Sequence, residues 1–272
     1  MRNPTPSIIY GTAWKKEQTA SLVEEALRAG FRGVDTACQP KHYHEAGVGQ
    51  GIATSLARGI ATREELYLQT KFTPLPGQDP QSVPYDPHAA LPEQIRQSLQ
   101  VSLKNLQTPW LDCLLLHSPL PTVAQTLEAW QTLEELVSSG KAKQIGISNC
   151  YDPRLLEHLY NTARIKPAVV QNRLHAATGY DQTIRAFCIR QDISYQSFWT
   201  LTANPHILEH PVVQALSGQY QRTPAQIFLR HLTQNGVTPL TGTTSPIHMR
   251  EDLAIGTFQL TAAECHAIDA LM

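Results

Sequence analysis

Short apolar runs alternate with longer amphipathic stretches along the whole chain. The strand-like runs cover residues 8–11, 33–36, 66–70, 111–116, 142–147, 168–171, 193–198 and 237–240. Apolar residues at helical spacing follow each run: 17–29, 45–57, 92–106, 123–138, 153–163 and 181–190. Two such stretches (212–219 and 224–234) follow the seventh run, and two more (246–254 and 262–271) follow the eighth. Residues 17–29 carry Leu22, Val23, Ala26 and Leu27 on one face and stop at Gly30, a natural helix end. Residues 111–116 are nearly all apolar, as a parallel strand covered on both faces should be. Strand then helix, repeated eight times, predicts an α/β fold: one (β/α)8 TIM barrel forming a single domain over residues 1–272. An open doubly wound sheet would carry a glycine-rich phosphate loop after its first strand. Here that strand ends in Gly11-Thr12-Ala13-Trp14, with no such loop. Residues 73–90 hold Pro74, Pro76, Pro80, Pro84 and Pro87; a loop of that length inside a domain is expected to be functional or mobile.

Composition narrows the function classes. Of 272 residues, 42% are hydrophobic, enough for a sizeable core. With 22 basic and 23 acidic residues the net charge is −1, unlike a protein that tracks nucleic-acid phosphates. No apolar run approaches the ~18 residues of a membrane span, and Met1-Arg2-Asn3-Pro4 lacks the apolar core of a signal peptide. The five cysteines (Cys38, Cys113, Cys150, Cys188 and Cys265) form no C-x-x-C pair, which suits reduced thiols. A cytoplasmic monomer acting on a small molecule, with no nucleic-acid or membrane partner, is the expectation.

Barrels of this kind build their active sites where strands hand over to loops. The residues at those points are Thr12, Trp14, Asp35, Tyr43, Lys71, His117, Ser148, Asn149, Gln171, Phe198, Thr200, Thr243 and Thr244. Four of them form a chemical set. A buried Asp35 beside Lys71 keeps the ammonium charged. The ammonium lowers the cost of ionising the Tyr43 phenol, which can then give a proton to a developing alkoxide. A neutral His117 can hydrogen-bond the same oxygen. The set suits reduction of a carbonyl by a hydride. A rival reading takes His42 and His44 as a metal-binding pair, with His175 the only further ligand in view. A second rival is a barrel that binds a cofactor without turnover and serves as a regulatory subunit.

The residues resemble the aldo-keto reductase family. The matching pieces are Gly11-Thr12-Ala13-Trp14, Val34-Asp35-Thr36-Ala37, Tyr43 with Glu45 and Gly47-Val48-Gly49, and Gln69-Thr70-Lys71-Phe72. Leu114-Leu115-Leu116-His117-Ser118-Pro119, Ile145-Gly146-Ile147-Ser148-Asn149, Val170-Gln171, Thr241-Gly242-Thr243-Thr244 and Glu251-Asp252-Leu253 continue the series in order. The resemblance implies NADP(H)-dependent reduction of aldehydes and ketones, with Tyr43 as proton donor, Asp35 and Lys71 tuning it and His117 orienting the substrate. It implies no metal. Ser148, Asn149 and Gln171 would hold the nicotinamide carboxamide, and Phe198 would stack under the ring. Thr12, Asp35, Thr200, Leu201, Gly242, Thr243, Thr244, His248, Glu251 and Asp252 complete the implied cofactor set. Trp14, Trp199 and the loop around Tyr85 are the candidate substrate walls, beside Tyr43 and His117.

Three features depart from the family pattern. Cys38-Gln39-Pro40 widens the interval between Asp35 and Tyr43 and must loop out for the phenol to reach the mouth. Gly242 and His248 stand where the family often has a lysine and an arginine on the 2′-phosphate, which leaves NAD(H) as the alternative cofactor. Thr243, Thr244, Ser245 and Arg250 are the groups left to meet a phosphate. Both ends are short, which predicts an open site with few specificity contacts.

Overall fold

A computed structural model describes residues 5–272; the signal-peptide reading of residues 1–4 lies outside them. Eight parallel strands close into one ring in sequence order. They are β1 (Ile9–Gly11), β2 (Gly33–Asp35), β3 (Tyr67–Phe72), β4 (Leu111–Leu116), β5 (Ala142–Ser148), β6 (Val169–Arg173), β7 (Ser194–Phe198) and β8 (Val237–Thr241). The outer helices are α1 (Thr19–Ala29), α2 (Glu45–Ala57), α3 (Leu91–Leu106), α4 (Val123–Ser138), α5 (Pro153–Thr162) and α6 (Gln182–Arg190), then α7 (Pro205–Leu208), α8 (Pro211–Tyr220), α9 (Pro224–Gln234), α10 (Pro246–Leu253) and α11 (Ala262–Asp269). The fold is the (β/α)8 barrel that the alternation predicts.

Local signals set the helix bounds. Thr223 and Thr261 cap α9 and α11 with reciprocal bonds to Gln226 and Glu264, and proline occupies the first turn of α3, α5, α7, α8, α9 and α10. Gly30 ends α1 at φ 123°. Gly49 serves a different need. A methyl there would collide with the Asn105 carbonyl, so glycine is what lets α2 lie close against α3. Two bounds differ from the sequence reading in ways that matter. α1 begins at Thr19, because Lys16–Gln18 winds a separate 3-10 turn. β6 runs on to Arg173, two residues past the expected end at Gln171.

The barrel interior is layered. Ile9, Tyr67, Cys113, Leu115 and Val169 form an apolar cluster apart from the main core between sheet and helices. Above it lies a polar layer. Gln69 Nε2 donates to Asp35 Oδ1 (2.7 Å) and Gln196 Oε1 (2.8 Å), and Gln171 Nε2 donates to the same two acceptors (3.0 and 2.9 Å). Tyr67 closes the network from below by donating to Gln69 Oε1. Bonds among Asp35, Gln69, Gln171 and Gln196 fix which strand faces point inward, because side chains alternate along a strand. Outside the barrel Asp112 accepts from Arg63, Lys143 and the Leu68 amide, and both cations stack on Trp110.

Candidate active site

The residues past Asp35 decide whether Tyr43 enters the mouth. Cys38 N donates to Lys71 O, so the chain pairs once more with β3 before turning. Gln39 O then accepts from the amides of both His42 and Tyr43, each at 3.0 Å. Gln39 Oε1 meets His42 Nδ1 (3.0 Å), Gln39 Nε2 donates to Gly77 O (2.6 Å), and Gln78 Nε2 donates to Cys38 O (2.9 Å). Trp14 N donates to His42 O from the other side. The longer interval is thus a stapled turn, and it delivers Tyr43 to the ring of strand ends.

There Tyr43 meets Lys71 and His117. The Lys71 ammonium lies 5.2 Å from the centroid of the Tyr43 ring, and the His117 ring is edge-on at 6.2 Å. Lys71 Nζ donates to Asp35 Oδ2 (2.6 Å) and Thr36 O (2.8 Å), with 1% of the residue exposed. Burial alone would pull that ammonium down; the Asp35 carboxylate and Tyr43 outweigh it, so it sits above the ordinary lysine value. The Tyr43 phenol also sits above its ordinary range. Burial raises it, Lys71 pulls it back and Asp35 adds to the rise. This corrects the expectation of a depressed phenol: Lys71 acts in the expected direction, but desolvation is larger.

His117 is held by neighbours that the sequence did not reveal. Its Nδ1 is 2.6 Å from Thr73 Oγ1, its amide donates to Phe72 O, and its carbonyl accepts from Asn149 Nδ2 (2.8 Å). Burial, then the charges of Lys71 and His42, hold the imidazole well below its usual pKa, so it is neutral. If the Thr73 hydroxyl donates to Nδ1, the ring proton is on Nε2. Tyr85, read from sequence as a substrate wall, is instead buried: its hydroxyl donates to Thr73 O (2.8 Å) and its ring packs on Phe72.

The implied carboxamide set is assembled on β5 and β6. Ser148 Oγ donates to Gln171 O (2.7 Å), and Asn149 Nδ2 donates to Ser148 Oγ (3.3 Å). Gln171 has both amide protons committed to Asp35 and Gln196, so it offers a further partner only its Oε1. Phe198 faces the mouth in register beside Arg173, and below it on β7 Gln196, not an aromatic ring, fills the polar layer. Thr12 is tied to the carbonyl of Asp35. The Thr200 hydroxyl is taken up by Ser197 beneath it, and Leu201 packs against the core. Trp14 and Trp199 are 56% and 50% exposed and stand on the rim. Both, with Asn149, adopt positive φ (64°, 55° and 52°), a cost of about 1–3 kcal/mol each that backbones tend to store at functional sites. Trp14 packs against His42 with the rings tilted by 38° and their centroids 4.2 Å apart, and Trp199 lies under Arg173.

The region of the residues implied for the phosphates is less crowded. Gly242, Thr243, Thr244 and Ser245 lead into α10, whose first turn is capped by Ser245 Oγ accepting from His248 N. His248 and Arg250 are exposed. The cation that does reach this loop is Lys15, whose Nζ donates to Gly242 O and lies 3.6 Å from where a Cβ on Gly242 would stand. Burial pulls that ammonium below its ordinary value. Asp252 is buried, accepts from Thr241 Oγ1 (2.6 Å) and is pushed up to about 6 by burial. Glu251 lines a cleft of about 570 Å³ between α8, α9 and α10, away from Tyr43.

The metal reading gains no ligands. His42 is occupied by Gln39 and Trp14, and His44 Nδ1 faces Lys16 O. Among the described residues no group of three His, Cys, Asp or Glu side chains is placed to hold a metal ion, and no helix is long and apolar enough to cross a membrane.

A sequence model described as the Aldo/keto reductase family matches residues 7–272. The chain is 30% identical over 255 residues to the uncharacterized oxidoreductase YtbE of Bacillus subtilis (strain 168), covering 93% of this chain and 84% of that protein. Its fold is similar to the crystal structure of a Bombyx mori aldo-keto reductase in complex with NADP, with a TM-score of 0.83 at 27% identity over 98% of this chain and 89% of that one. The aldo/keto reductase from Brucella melitensis gives a TM-score of 0.82 at 29% identity over 99% and 96% of the two chains.

Proposed function

The chain belongs to the aldo/keto reductase family, and we propose that it uses NADP(H) to reduce aldehydes and ketones, with Tyr43 as the proton donor. The observation that carries the reading is the Asp35–Lys71 pair lying against the Tyr43 ring, with the His117 ring edge-on to the same phenol. A dinucleotide held by these residues would supply a hydride for the carbonyl carbon. As charge gathers on the carbonyl oxygen, Tyr43 gives it the phenolic proton. The raised phenol keeps that proton until the acceptor forms. Lys71 then stabilises the phenolate, and Asp35 keeps Lys71 charged so that it can. His117, neutral, orients the oxygen, through its Nε2–H if the Thr73 hydroxyl donates to Nδ1.

Residues at both ends of the mouth support the dinucleotide reading. A carboxamide needs acceptors and donors, and Gln171 Oε1 with the Asn149 amide supplies them. Lys15, Thr243, Ser245 and the start of α10 would meet the phosphates. Burial holds Lys15 below its ordinary value, and among the described residues it forms no ion pair, so a phosphate there would pull that value back up. That cation makes NADP(H) the first reading and NAD(H) the alternative.

Fluorescence titration with NADPH and NADH, followed by carbonyl-dependent oxidation of the tighter ligand, tests this. Tighter binding of NADPH and turnover of simple aldehydes are expected. A protein that binds neither dinucleotide would sink the reading.

A further inference from the structure

We propose that Arg173 binds a carboxylate of the substrate, so that anionic aldehydes and ketones are the class this mouth favours. The inference rests on the oxidoreductase reading above and names its substrate class. Gln171 turns into the barrel, where it bonds to Asp35. Side chains alternate along a strand, so Arg173, two residues on, leaves β6 on the same inner face, roughly 6–7 Å nearer the mouth. Its register partner on β7 is Phe198, two residues above Gln196, which also points inward. Arg173 therefore stands one layer above the proposed carboxamide site, facing the opening.

Two rings hold it there. The guanidinium carbon lies 4.1 Å over Trp199 and 6.0 Å from Phe198. Stacking occupies the faces of the guanidinium and leaves its edge, where the N–H groups point, for a planar anion. Arg173 forms no ion pair among the described residues, and its buried Nε has no hydrogen-bond partner. Three aspartates on the surrounding strands and loops are engaged elsewhere. Asp152 caps α5 through Arg154 N, Asp181 accepts from Asn172 and Tyr195, and Asp35 is paired with Lys71. A half-buried arginine fixed by aromatics without a counter-charge is a site built for an anion that arrives from outside.

The anion is the substrate's. The groups suited to the dinucleotide phosphates, Lys15 and the start of α10, gather at β8 and β1. Arg173, on β6, is two strands from β8 and three from β1 round the ring, on the side that carries Asn149 and Trp199.

The test compares benzaldehyde with 4-carboxybenzaldehyde under saturating NADPH in the native protein, Arg173→Met and Arg173→Lys. In the native protein kcat/KM should favour the carboxylated aldehyde. The ratio should fall by about tenfold to a hundredfold in Arg173→Met, through KM, as expected for loss of one charge-assisted pair. Arg173→Lys should recover part of it. A ratio unchanged by Arg173→Met, or a loss confined to NADPH affinity, overturns the proposal; the second result would assign Arg173 to the cofactor's phosphates. Quenching of protein fluorescence by 4-carboxybenzoate supplies a readout independent of turnover. Binding that is weakened by Arg173→Met in a protein that reduces neither aldehyde supports Arg173 and sinks the reductase reading alone.

Discussion

Asp35 and Lys71 form an ion pair with both side chains almost wholly buried, so Asp35→Asn should destabilise the protein through Lys71. Asparagine keeps an Oδ1 for the two glutamine donors, Gln69 and Gln171, but removes the charge and puts an NH2, which cannot accept, where Oδ2 meets Lys71 Nζ. Breaking a buried pair from one side costs about 3–5 kcal/mol, because the remaining charge is uncompensated. For a chain of this size that corresponds to a fall in Tm on the order of 10 °C. The pH dependence carries the physical signature. In the native protein the folded Lys71 lies above its ordinary value of 10.5. Its stabilisation is therefore complete below 10.5 and is lost only as pH rises through the folded value. In Asp35→Asn, burial acts on Lys71 without the carboxylate, and the folded value drops below the ordinary one. The penalty is then complete at low pH and shrinks as pH climbs toward 10.5. Thermal unfolding of both proteins at pH 6 and pH 9.5 should give a Tm gap that narrows with pH, and adding Lys71→Met should recover part of the loss. A gap that is small, or the same at both pH values, would refute the reasoning.

Other consequences are more local. Thr73→Val removes the hydroxyl at His117 Nδ1 while keeping the shape; kcat for carbonyl reduction should fall by about tenfold or more as the imidazole loses its fixed tautomer, with Thr73→Ser restoring it, and equal rates in all three proteins would remove Thr73 from the mechanism. Glu45 is buried against Thr70, Ser102 and Asn105, and burial raises its carboxyl. A raised carboxyl costs the fold nothing below its ordinary value of 4.5; the penalty grows above it and is complete once pH exceeds the folded value. Glu45→Gln should therefore raise Tm at pH 8 and lose that advantage at pH 4; a variant less stable than native at both would contradict this.

How much of this was legible in the sequence follows from range. The strands are runs of buried residues and the helices carry their own caps, so eightfold alternation shows through without tertiary information. Asp35, Tyr43, Lys71 and His117 stand out because ionisable side chains at strand ends are chemically conspicuous. Arg173 is hidden because the strand-like run in the sequence stops at Gln171, one period-two step short of it. Lys15 bonds to Gly242, 227 positions away, and no local pattern joins them. Thr73 lay in a proline-rich loop with nothing to mark it as the partner of His117. The stapled turn from Cys38 to Tyr43 depends on Gln39 and Gln78, whose bonds exist only once β2 and β3 are side by side. The net direction of the Tyr43 shift needed the depth of burial, which a sequence does not give. The four-residue helix α7 is too short for any periodicity.

The central claim is that Tyr43 delivers the proton. The most direct test is single-turnover carbonyl reduction in Tyr43→Phe alongside the native protein, with NADPH affinity measured on the same samples. The account predicts NADPH bound within a few-fold of native and a reduction rate lower by about 10²–10⁴. A Phe variant that binds NADPH and reduces aldehydes at near-native rate would contradict it.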